Sequence, residues 1–512
     1  MSLTFYLPQD RLCALARGES LPDRTNGSAL FADISGFTAL TESLRKSLGA
    51  RQGAEALTKQ LGAVYSVLIA EVEKYGGSVI GFAGDAMMCW FNAKDEESDS
   101  SSRAIASAFG MQTAIQAFPT LGLKVTIATG ETRRFVVGAP EIQRLDTLAG
   151  ATVARTSLAE HYAEKGEILV DKVTAKSLGA SLSILEWRED NESKERFAVV
   201  SDYTGSTVEE KPDTYPALDS EVLQSWISRE VFEREISTQG AFLTEFRPCV
   251  ALFVRFIGID YDTDEAEEQL DVFIRSVQTI VERYEGVFLQ FTIGDKGSYA
   301  YISFGALITH EDDARRAVKT AIELRKLAEQ LGYLQPLQIG ITQGILRVGA
   351  YGGQTRKTFG ALGDDVNLAA RLMTTASAGE ILLSGYAYKA VQNDFTFEPR
   401  PPLAMKGKTE PLPVFAVTGE RQQRAIRLQE PNYALPMVGR ESDLRSIEEK
   451  LDLAAKAKGQ VVGIVAEAGM GKSRLVAEVI RSARKKGFVG YGGACQADGI
   501  HSAGTAAVYG QP

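Results

Sequence analysis

The chain has 512 residues, 44% of them hydrophobic and 24% charged, an ordinary globular composition with enough length for several domain cores. Its formal net charge of −10 argues against general affinity for nucleic acid or anionic membranes. The four cysteines form no CxxC pair, no apolar run approaches the ~18 residues of a membrane span, and no signal peptide is visible, so we expect a soluble cytoplasmic protein.

The first half of the chain predicts a defined series of strands and helices. Residues 28–37 are typical of a buried strand, and the apolar spacing over 53–77 predicts a long helix. Residues 78–91 predict a β-hairpin whose turn carries Gly84 and Asp85. The remaining elements are a helix near 101–118, strands at 123–130 and 134–140, and a helix over 152–164.

The second half repeats this order of elements. Residues 248–258 predict a strand, 264–284 an acidic helix, and a hairpin follows around Gly294 and Asp295. A helix over 312–330, a strand over 337–344 and a helix from about Asp365 complete the repeat. The order strand-helix-strand-strand-helix-strand is that of ferredoxin-like domains, so we expect an α+β fold in which two such domains pack about a pseudo-twofold axis.

These patterns also predict the domain boundaries. We expect the first domain over 28–201 and the second over 246–418, with a linker at 202–245 between them. A second linker at 419–436 leads to a third module over 437–512.

Within the third module, residues 459–487 predict a strand, a glycine-bearing loop and a helix, as in a P-loop. Gly469 and Gly471 would let backbone amides approach phosphates, Lys472 would meet the β- and γ-phosphates, and Ser473 would ligate Mg²⁺. The sheet of a complete P-loop ATPase needs more strands than this segment supplies, so we expect a partial α/β module that does not hydrolyse nucleotide.

Chemically distinctive residues are divided between the two copies. In the first copy, Asp33 ends the opening strand within FADISGFT and Asp85 lies in the hairpin turn within FAGDAMMCWF. Two carboxylates on facing elements are natural ligands for divalent cations. The second copy has Arg255 at the place of Asp33, and its guanidinium would repel a cation.

The last helix of each copy shows the opposite division. The second copy contains GDDVNLAARLM, in which Asn367 and Arg371 are four residues apart and therefore on one helical face. The first copy has Ala154 and Leu158 at those positions. Each copy lacks what the other supplies, which predicts one composite site at their interface.

These strings resemble the catalytic domains of class III nucleotide cyclases, and the tandem pairing is similar to that of the soluble, bicarbonate-responsive adenylyl cyclases. The resemblance implies two divalent ions, Mg²⁺ or Mn²⁺, held by Asp33, Ile34 and Asp85. It also implies that Asn367 orients the ribose and that Arg371 stabilises charge on the α-phosphoryl oxygens.

Substrate contacts follow from the same resemblance. We expect phosphate oxygens to meet the loop after Asp33, including Phe37 and Thr38. Lys124 and Lys406 match family lysines that reach the phosphates, although an ordinary surface role remains open for both.

Base selection is expected from the second copy. Lys296 directly follows Asp295 of the second hairpin, where family adenylyl cyclases have Lys and guanylyl cyclases have Glu. An ammonium group suits N1 of adenine and not the protonated N1 of guanine, which favours ATP. Gly360, seven residues before Asn367, stands where the family has a second base-reading side chain, so the expected discrimination is lower.

A second, degenerate cleft is expected on the other side of the pseudo-twofold axis. Bicarbonate binds there in the resembling soluble branch through a Lys and an Arg, but Gly81 and Ser157 occupy those positions here. A small effector and simple loss of function are therefore both open for this cleft. Its residues would be Arg255, Asp295, Ala154, Arg155 and Leu158.

Together these features predict an adenylyl cyclase that forms cyclic AMP and pyrophosphate at one intramolecular site, for which dimerisation is unnecessary. Three alternatives stay open at this point: a catalytically quiet nucleotide-binding regulator, a P-loop signalling ATPase with vestigial cyclase domains, and a guanylyl cyclase.

Overall fold

The computed structural model describes most of the chain, and its residues fall in two compact units, 1–419 and 420–512. No helix among the described residues is both long enough and apolar enough to cross a membrane. The described residues are 3–93, 97–207, 209, 218–237, 245–294, 297–404, 411–421, 426–427, 437–465, 471–489 and 491–492.

The first unit begins with a 3₁₀ helix (Leu3–Tyr6) and a short helix, α1 (Gln9–Arg17), which are followed by a sheet with helices packed on it. The strands are β1 (Arg24–Ser35), β2 (Ser78–Ala83), β3 (Ala86–Asn92), β4 (Gly122–Val137), β5 (Leu145–Ala149), β6 (Ile168–Asp171), β7 (Leu182–Glu189) and β8 (Arg196–Tyr203). The helices are α2 (Phe37–Lys74), α3 (Glu97–Ala114), α4 (Ala151–Glu160) and α5 (Lys172–Leu178). The strand order is β2-β3-β1-β4-β6-β8-β7, with β5 paired to β4.

Two short helices, α6 (Ser220–Gln224) and α7 (Arg229–Ile236), precede a second domain of the same design. Its strands are β9 (Glu245–Phe256), β10 (Val287–Thr292), β11 (Ser298–Phe304), β12 (Gln338–Gly352), β13 (Lys357–Leu362), β14 (Ile381–Ser384), β15 (Phe395–Leu403) and β16 (Leu412–Glu420). Its helices are α8 (Ala266–Arg283), α9 (Asp313–Leu331), α10 (Asp364–Thr375) and α11 (Gly385–Val391). The order β10-β11-β9-β12-β14-β16-β15, with β13 on β12, repeats the first sheet and confirms the α+β fold with two similar domains.

The periodicity of the sequence explains why these elements form. In α8, buried residues recur every three or four positions, as at Leu270, Phe273, Ile274 and Val277, so one face enters the core of the second domain. Glu267 and Glu268 lie in its first turn, where negative charge is favourable next to the helix N-terminus.

The strand over 122–137 differs from the sequence prediction, which placed two separate strands at 123–130 and 134–140. The structure has one continuous strand, β4, because β1 pairs with it as far as Arg133 and β5 pairs with it from Arg133 onward. The apparent break at Gly130 is absorbed in the sheet opposite Gly27. Gly27 also allows close packing against β3 on its other side, since a Cβ there would come within 2.3 Å of the Phe91 carbonyl oxygen.

Two reciprocal seams join the domains. The far end of β12 packs on α2, where Arg347 Nε donates to Thr58 Oγ1 at 2.7 Å. The end of β4 leads to α8, where the Gly138 N–H donates to Asp271 Oδ1 at 2.8 Å and the Ala139 N–H donates to Gln278 Oε1 at 2.8 Å. Each domain thus extends its central strand onto the first long helix of the other, as expected for a pseudo-twofold pair.

The second unit contains α12 (Glu441–Ala454), α13 (Lys472–Lys485) and a pair of two-residue strands, β17 (Ile426–Arg427) and β18 (Tyr491–Gly492). The predicted helix after the glycine-bearing loop is present as α13, but the predicted strand before the loop is wrong. Residues 459–465 form no strand, and Val461 and Val465 are fully or almost fully exposed. An isolated strand leaves its backbone groups unpaired, and no described strand of this unit, including the two-residue pair β17 and β18, is hydrogen-bonded to residues 459–465.

Candidate active site

The first-domain carboxylates are placed by strand pairing. Asp33 lies near the end of β1, opposite Ala86 of β3 and Lys124 of β4. Asp85 lies in the turn between β2 and β3, and its carbonyl oxygen accepts from the Ile34 N–H at 3.3 Å. This backbone bond ties the turn to β1, so the structure brings the two predicted metal ligands to one end of the sheet.

The electrostatics of this pair follow from partial burial and like charge. Burial raises the pKa of Asp85 to about 7, and the negative charges of Asp33 and Glu160 add to the shift. Burial also raises the pKa of Asp33, with Glu160 adding and Lys124 opposing. Two neighbouring carboxylates that resist ionisation are stabilised when a cation lies between them.

The donor set fits hard divalent cations. Asp33 and Asp85 form no ion pair with any described residue, and Ile34, the third predicted ligand, directly follows Asp33 in β1. In the described ranges, no group of three or more His, Cys, Asp or Glu side chains could enclose a metal ion by itself. Mg²⁺ sites of the kind that combine one or two carboxylates with substrate phosphates match this pattern.

The loop after β1 suits an anion. Gly36 has a left-handed backbone (φ 94°) immediately before α2 begins at Phe37, and a Cβ there would lie 2.8 Å from the Thr120 carbonyl oxygen. The first backbone amides of a helix have no intrahelical partner and favour phosphate oxygens. Phe37 and Thr38 occupy this first turn, although their side chains lie outside the description.

Glu160 was missed by the sequence analysis. It ends α4, and its Oε1 lies 3.5 Å from Nζ of Lys124, the predicted phosphate-binding lysine. Lys124 is therefore held next to Asp33 by a carboxylate from another element. The only sequence signal was an acidic residue in the predicted last helix of the first copy, and nothing marked it as a neighbour of Lys124.

The predicted second-domain residues lie on α10. Asn367 and Arg371 are both exposed, while Leu368 and Leu372 on the opposite face are buried. Across the described residues, no hydrogen bond or ion pair joins Asn367 or Arg371 to the first-domain carboxylates. Their shared exposed face leaves both side chains available to a ligand.

Three further predictions fall wholly or partly outside the description. Lys296, its neighbour Asp295 and Lys406 are among the residues that the structure does not describe. In the P-loop segment, Gly469 is also outside, as is the side chain of Ser473. Gly471 has a left-handed backbone (φ 79°) before α13, and Lys472 is the first residue of that helix.

Gly360 has a structural reason for lacking a side chain. A Cβ at this position would lie 2.7 Å from Cε1 of Tyr351, closer than real Cβ contacts allow. Tyr351 is 8% exposed and packs with the core of the first domain. The space of the expected base-reading side chain is therefore bounded by the aromatic ring of Tyr351.

The degenerate cleft differs chemically from the first. Arg255 lies opposite Gln338 and donates to its Oε1 at 3.0 Å, at the same sheet position where Asp33 faces Lys124. A guanidinium and an amide replace a carboxylate and an ammonium, which removes the cation site.

The cleft itself has a volume of about 260 Å³, and Ala154 and Gly294 are among its lining residues. Two residues expected there lie elsewhere. Arg155 donates from Nε to Asp171 Oδ2 at 2.9 Å within the first domain, and Leu158 packs against that domain's core. The ion pair with Asp171 therefore sets the direction of the Arg155 side chain, and apolar packing sets that of Leu158.

The sequence model described as "Adenylate and Guanylate cyclase catalytic domain" matches residues 22–201 and 265–419. Adenylate cyclase type 10 of Oryctolagus cuniculus is 23% identical over 503 residues, which covers 89% of this chain and 31% of that protein. The Homo sapiens protein of the same name is 22% identical, with the same coverage. The chain thus spans about a third of the length of these relatives.

Among solved structures, a class III adenylyl cyclase-like ATP-binding protein from Pseudomonas aeruginosa has a similar fold. The TM-score is 0.50 at 18% identity, covering 73% of this chain and 87% of that one.

Proposed function

This chain belongs to the family of adenylate and guanylate cyclase catalytic domains, and from that premise we propose that it converts ATP to 3′,5′-cyclic AMP and pyrophosphate. One observation carries the proposal. The acidic pair Asp33–Asp85 is retained in the first domain, while Asn367 and Arg371 are exposed on α10 of the second. The proposed cation ligands and the proposed Asn–Arg pair thus lie in different domains, and the relatives named above are adenylate cyclases.

The proposed mechanism assigns separate tasks to the two domains. Asp33, Asp85 and the Ile34 carbonyl would hold two divalent cations, Mg²⁺ or Mn²⁺, which when bound lower the pKa of the ribose 3′-hydroxyl and neutralise phosphate charge. Asn367 would orient the ribose for in-line attack, and Arg371 would stabilise the charge that develops on the α-phosphoryl oxygens.

The remaining substrate contacts are proposed around this centre. The first turn of α2, with Phe37 and Thr38, would bind phosphate oxygens through its amides. Lys124 would leave its ion pair with Glu160 and bind a phosphate oxygen of the substrate instead. Lys406 would contact the terminal phosphates. Lys296 would donate to the adenine edge and so favour ATP over GTP.

A catalytically quiet nucleotide-binding protein is the second candidate. It is favoured by Gly360, which provides no polar side chain to read the base, and the P. aeruginosa protein of similar fold is named as ATP-binding.

We propose the degenerate cleft as the place for a small effector such as bicarbonate. A bicarbonate titration of the cyclase rate tests this, and an unchanged rate would remove bicarbonate as the effector.

The decisive experiment offers the purified chain ATP or GTP with Mg²⁺ or Mn²⁺ and measures the cyclic product. We expect cyclic AMP from the wild type and a loss of at least ~100-fold in rate for Asp33→Asn, because a neutral amide cannot replace a metal-binding carboxylate. Asp202→Asn, on an exposed strand end, is the matched control and should retain the wild-type rate.

Two results would contradict the proposal. Asp33→Asn cyclising ATP at the wild-type rate would refute the metal assignment. A wild type that binds ATP but forms no cyclic product under all four conditions would favour the quiet nucleotide-binding protein.

A further inference from the structure

The turn that carries Asp85 is tied to α2 by a buried tyrosine. Tyr65 is 1% exposed, and its hydroxyl donates to the Gly84 carbonyl oxygen at 3.1 Å. Gly84 has a left-handed backbone (φ 65°) and directly precedes Asp85. The hydroxyl therefore holds the peptide group from which the Asp85 side chain projects.

The second domain completes this arrangement. Tyr351, near the end of β12, has its ring centroid 6.3 Å from that of Tyr65 and 5.9 Å from that of Phe82. The Tyr65 and Phe82 rings meet edge to face at 5.3 Å. In this aromatic trio, the Tyr351 ring of the second domain packs against Tyr65, which is bonded to the Asp85 turn, and against Phe82 of β2, which leads into that turn.

Neighbouring contacts hold the Tyr351 ring in place. Arg347 precedes Tyr351 in β12, and its side chain donates a hydrogen bond to Thr58. Thr58 lies about two helical turns before Tyr65 on the same face of α2. On its other side the ring approaches Gly360 so closely that no side chain fits there. The position of Tyr351 is thus set by the docking of the two domains.

We propose that Tyr65 is a positioning residue for Asp85 and that Tyr351 makes this positioning depend on the second domain. The inference rests on the proposed function, because it takes Asp85 to be a cation ligand. Without the hydroxyl, the turn can sample other orientations, and the carboxylate must be reordered each time a cation binds.

The test measures Mn²⁺ binding to the full chain by electron paramagnetic resonance of free Mn²⁺. It is done with 3′-deoxy-ATP, which lacks the attacking oxygen, so no turnover occurs. We expect Tyr65→Phe to weaken Mn²⁺ binding about 5-fold, the effect of one neutral hydrogen bond, while leaving the ring packing intact.

Tyr333→Phe is the matched control. The Tyr333 hydroxyl also donates to a backbone carbonyl, that of Gln269 at 2.8 Å, but within the second domain. We expect this variant to bind Mn²⁺ like the wild type, with a change in melting temperature similar to that of Tyr65→Phe. A purely structural role of Tyr65 would make the two variants alike in Mn²⁺ binding as well.

Tyr351→Leu supplies an independent variant that keeps the Tyr65 hydroxyl. It should also weaken Mn²⁺ binding, and combining it with Tyr65→Phe should cost less than the product of the two single effects, because both act through one turn. If both single variants bind Mn²⁺ like the wild type while Asp85→Ala does not bind, the positioning role is refuted and the metal assignment survives. If Asp85→Ala binds as tightly as the wild type, the metal assignment fails and this inference fails with it.

Discussion

At the scale of single residues, Gly360 shows how a departure from a family motif can have a packing cause. The missing side chain is matched by the Tyr351 ring, which occupies the adjoining space. The motif alone indicates only that the expected base-reading side chain is missing. The structure shows that the glycine also leaves room for the Tyr351 ring, because a Cβ at Gly360 would lie 2.7 Å from its Cε1 atom.

This pairing predicts a specific pattern of stability. Gly360→Thr should lower the free energy of unfolding by about 1–3 kcal/mol, because its Cβ would overlap the Tyr351 ring. Gly81→Thr, on a strand where an added Cβ meets nothing within 4 Å, is the control and should change stability little. Urea denaturation measures both. Adding Tyr351→Leu should relieve part of the cost of Gly360→Thr, and a cost that stays fully additive would contradict the overlap.

At the scale of elements, α1 is joined to the first sheet by buried charges. Arg134 of β4 pairs with Asp146 of β5 at 2.7 Å and also with Asp10 of α1, and Arg11 pairs with Asp146 at 2.8 Å. Burial alone would raise the pKa of Asp146, but the two guanidinium groups outweigh it and hold that pKa far below its usual range. The helix is therefore attached through an ion cluster as well as through apolar packing.

A pH dependence of stability follows from this cluster. Because the pKa of Asp146 is depressed in the folded state, its contribution to the free energy of unfolding is complete above the unfolded pKa of about 4. This contribution is lost progressively as the pH falls below that value. Asp146→Asn should cost about 3–5 kcal/mol near neutral pH, since it leaves two buried guanidinium groups without their shared partner. Denaturation at pH 7, 5 and 3 checks the sign. The difference in free energy of unfolding between wild type and variant should become smaller only between pH 5 and pH 3. An equal difference at pH 3 and pH 7 would refute the depressed pKa of Asp146.

At the scale of the whole molecule, both domains lie in one compact unit and exchange reciprocal contacts. Each domain's central strand reaches the other's first long helix, so one chain already supplies both sides of the interface. We therefore infer that a complete site does not require a second copy.

Mixing two inactive full-length chains tests this inference. Asp33→Asn and Asn367→Ala damage opposite halves of the proposed site. If each site is built within one chain, the equimolar mixture should form no more cyclic AMP than the average of the two variants. Recovery to about a quarter of the wild-type rate would instead show that sites form between chains, with halves exchanged at random.

The two-domain repeat, the α+β fold class and the family could be predicted from the amino-acid sequence, because these depend on local periodicity and on motifs that are contiguous in the chain. The positions of Asp33 at a strand end and of Asp85 in a hairpin turn were predicted in the same way. Three contacts were visible only in the folded chain: Lys124 pairs with Glu160, Arg155 pairs with Asp171, and Tyr351 lies against Gly360 and the Asp85 turn. These contacts depend on which side chains from distant segments pack into the same space, and a short sequence pattern does not contain that information.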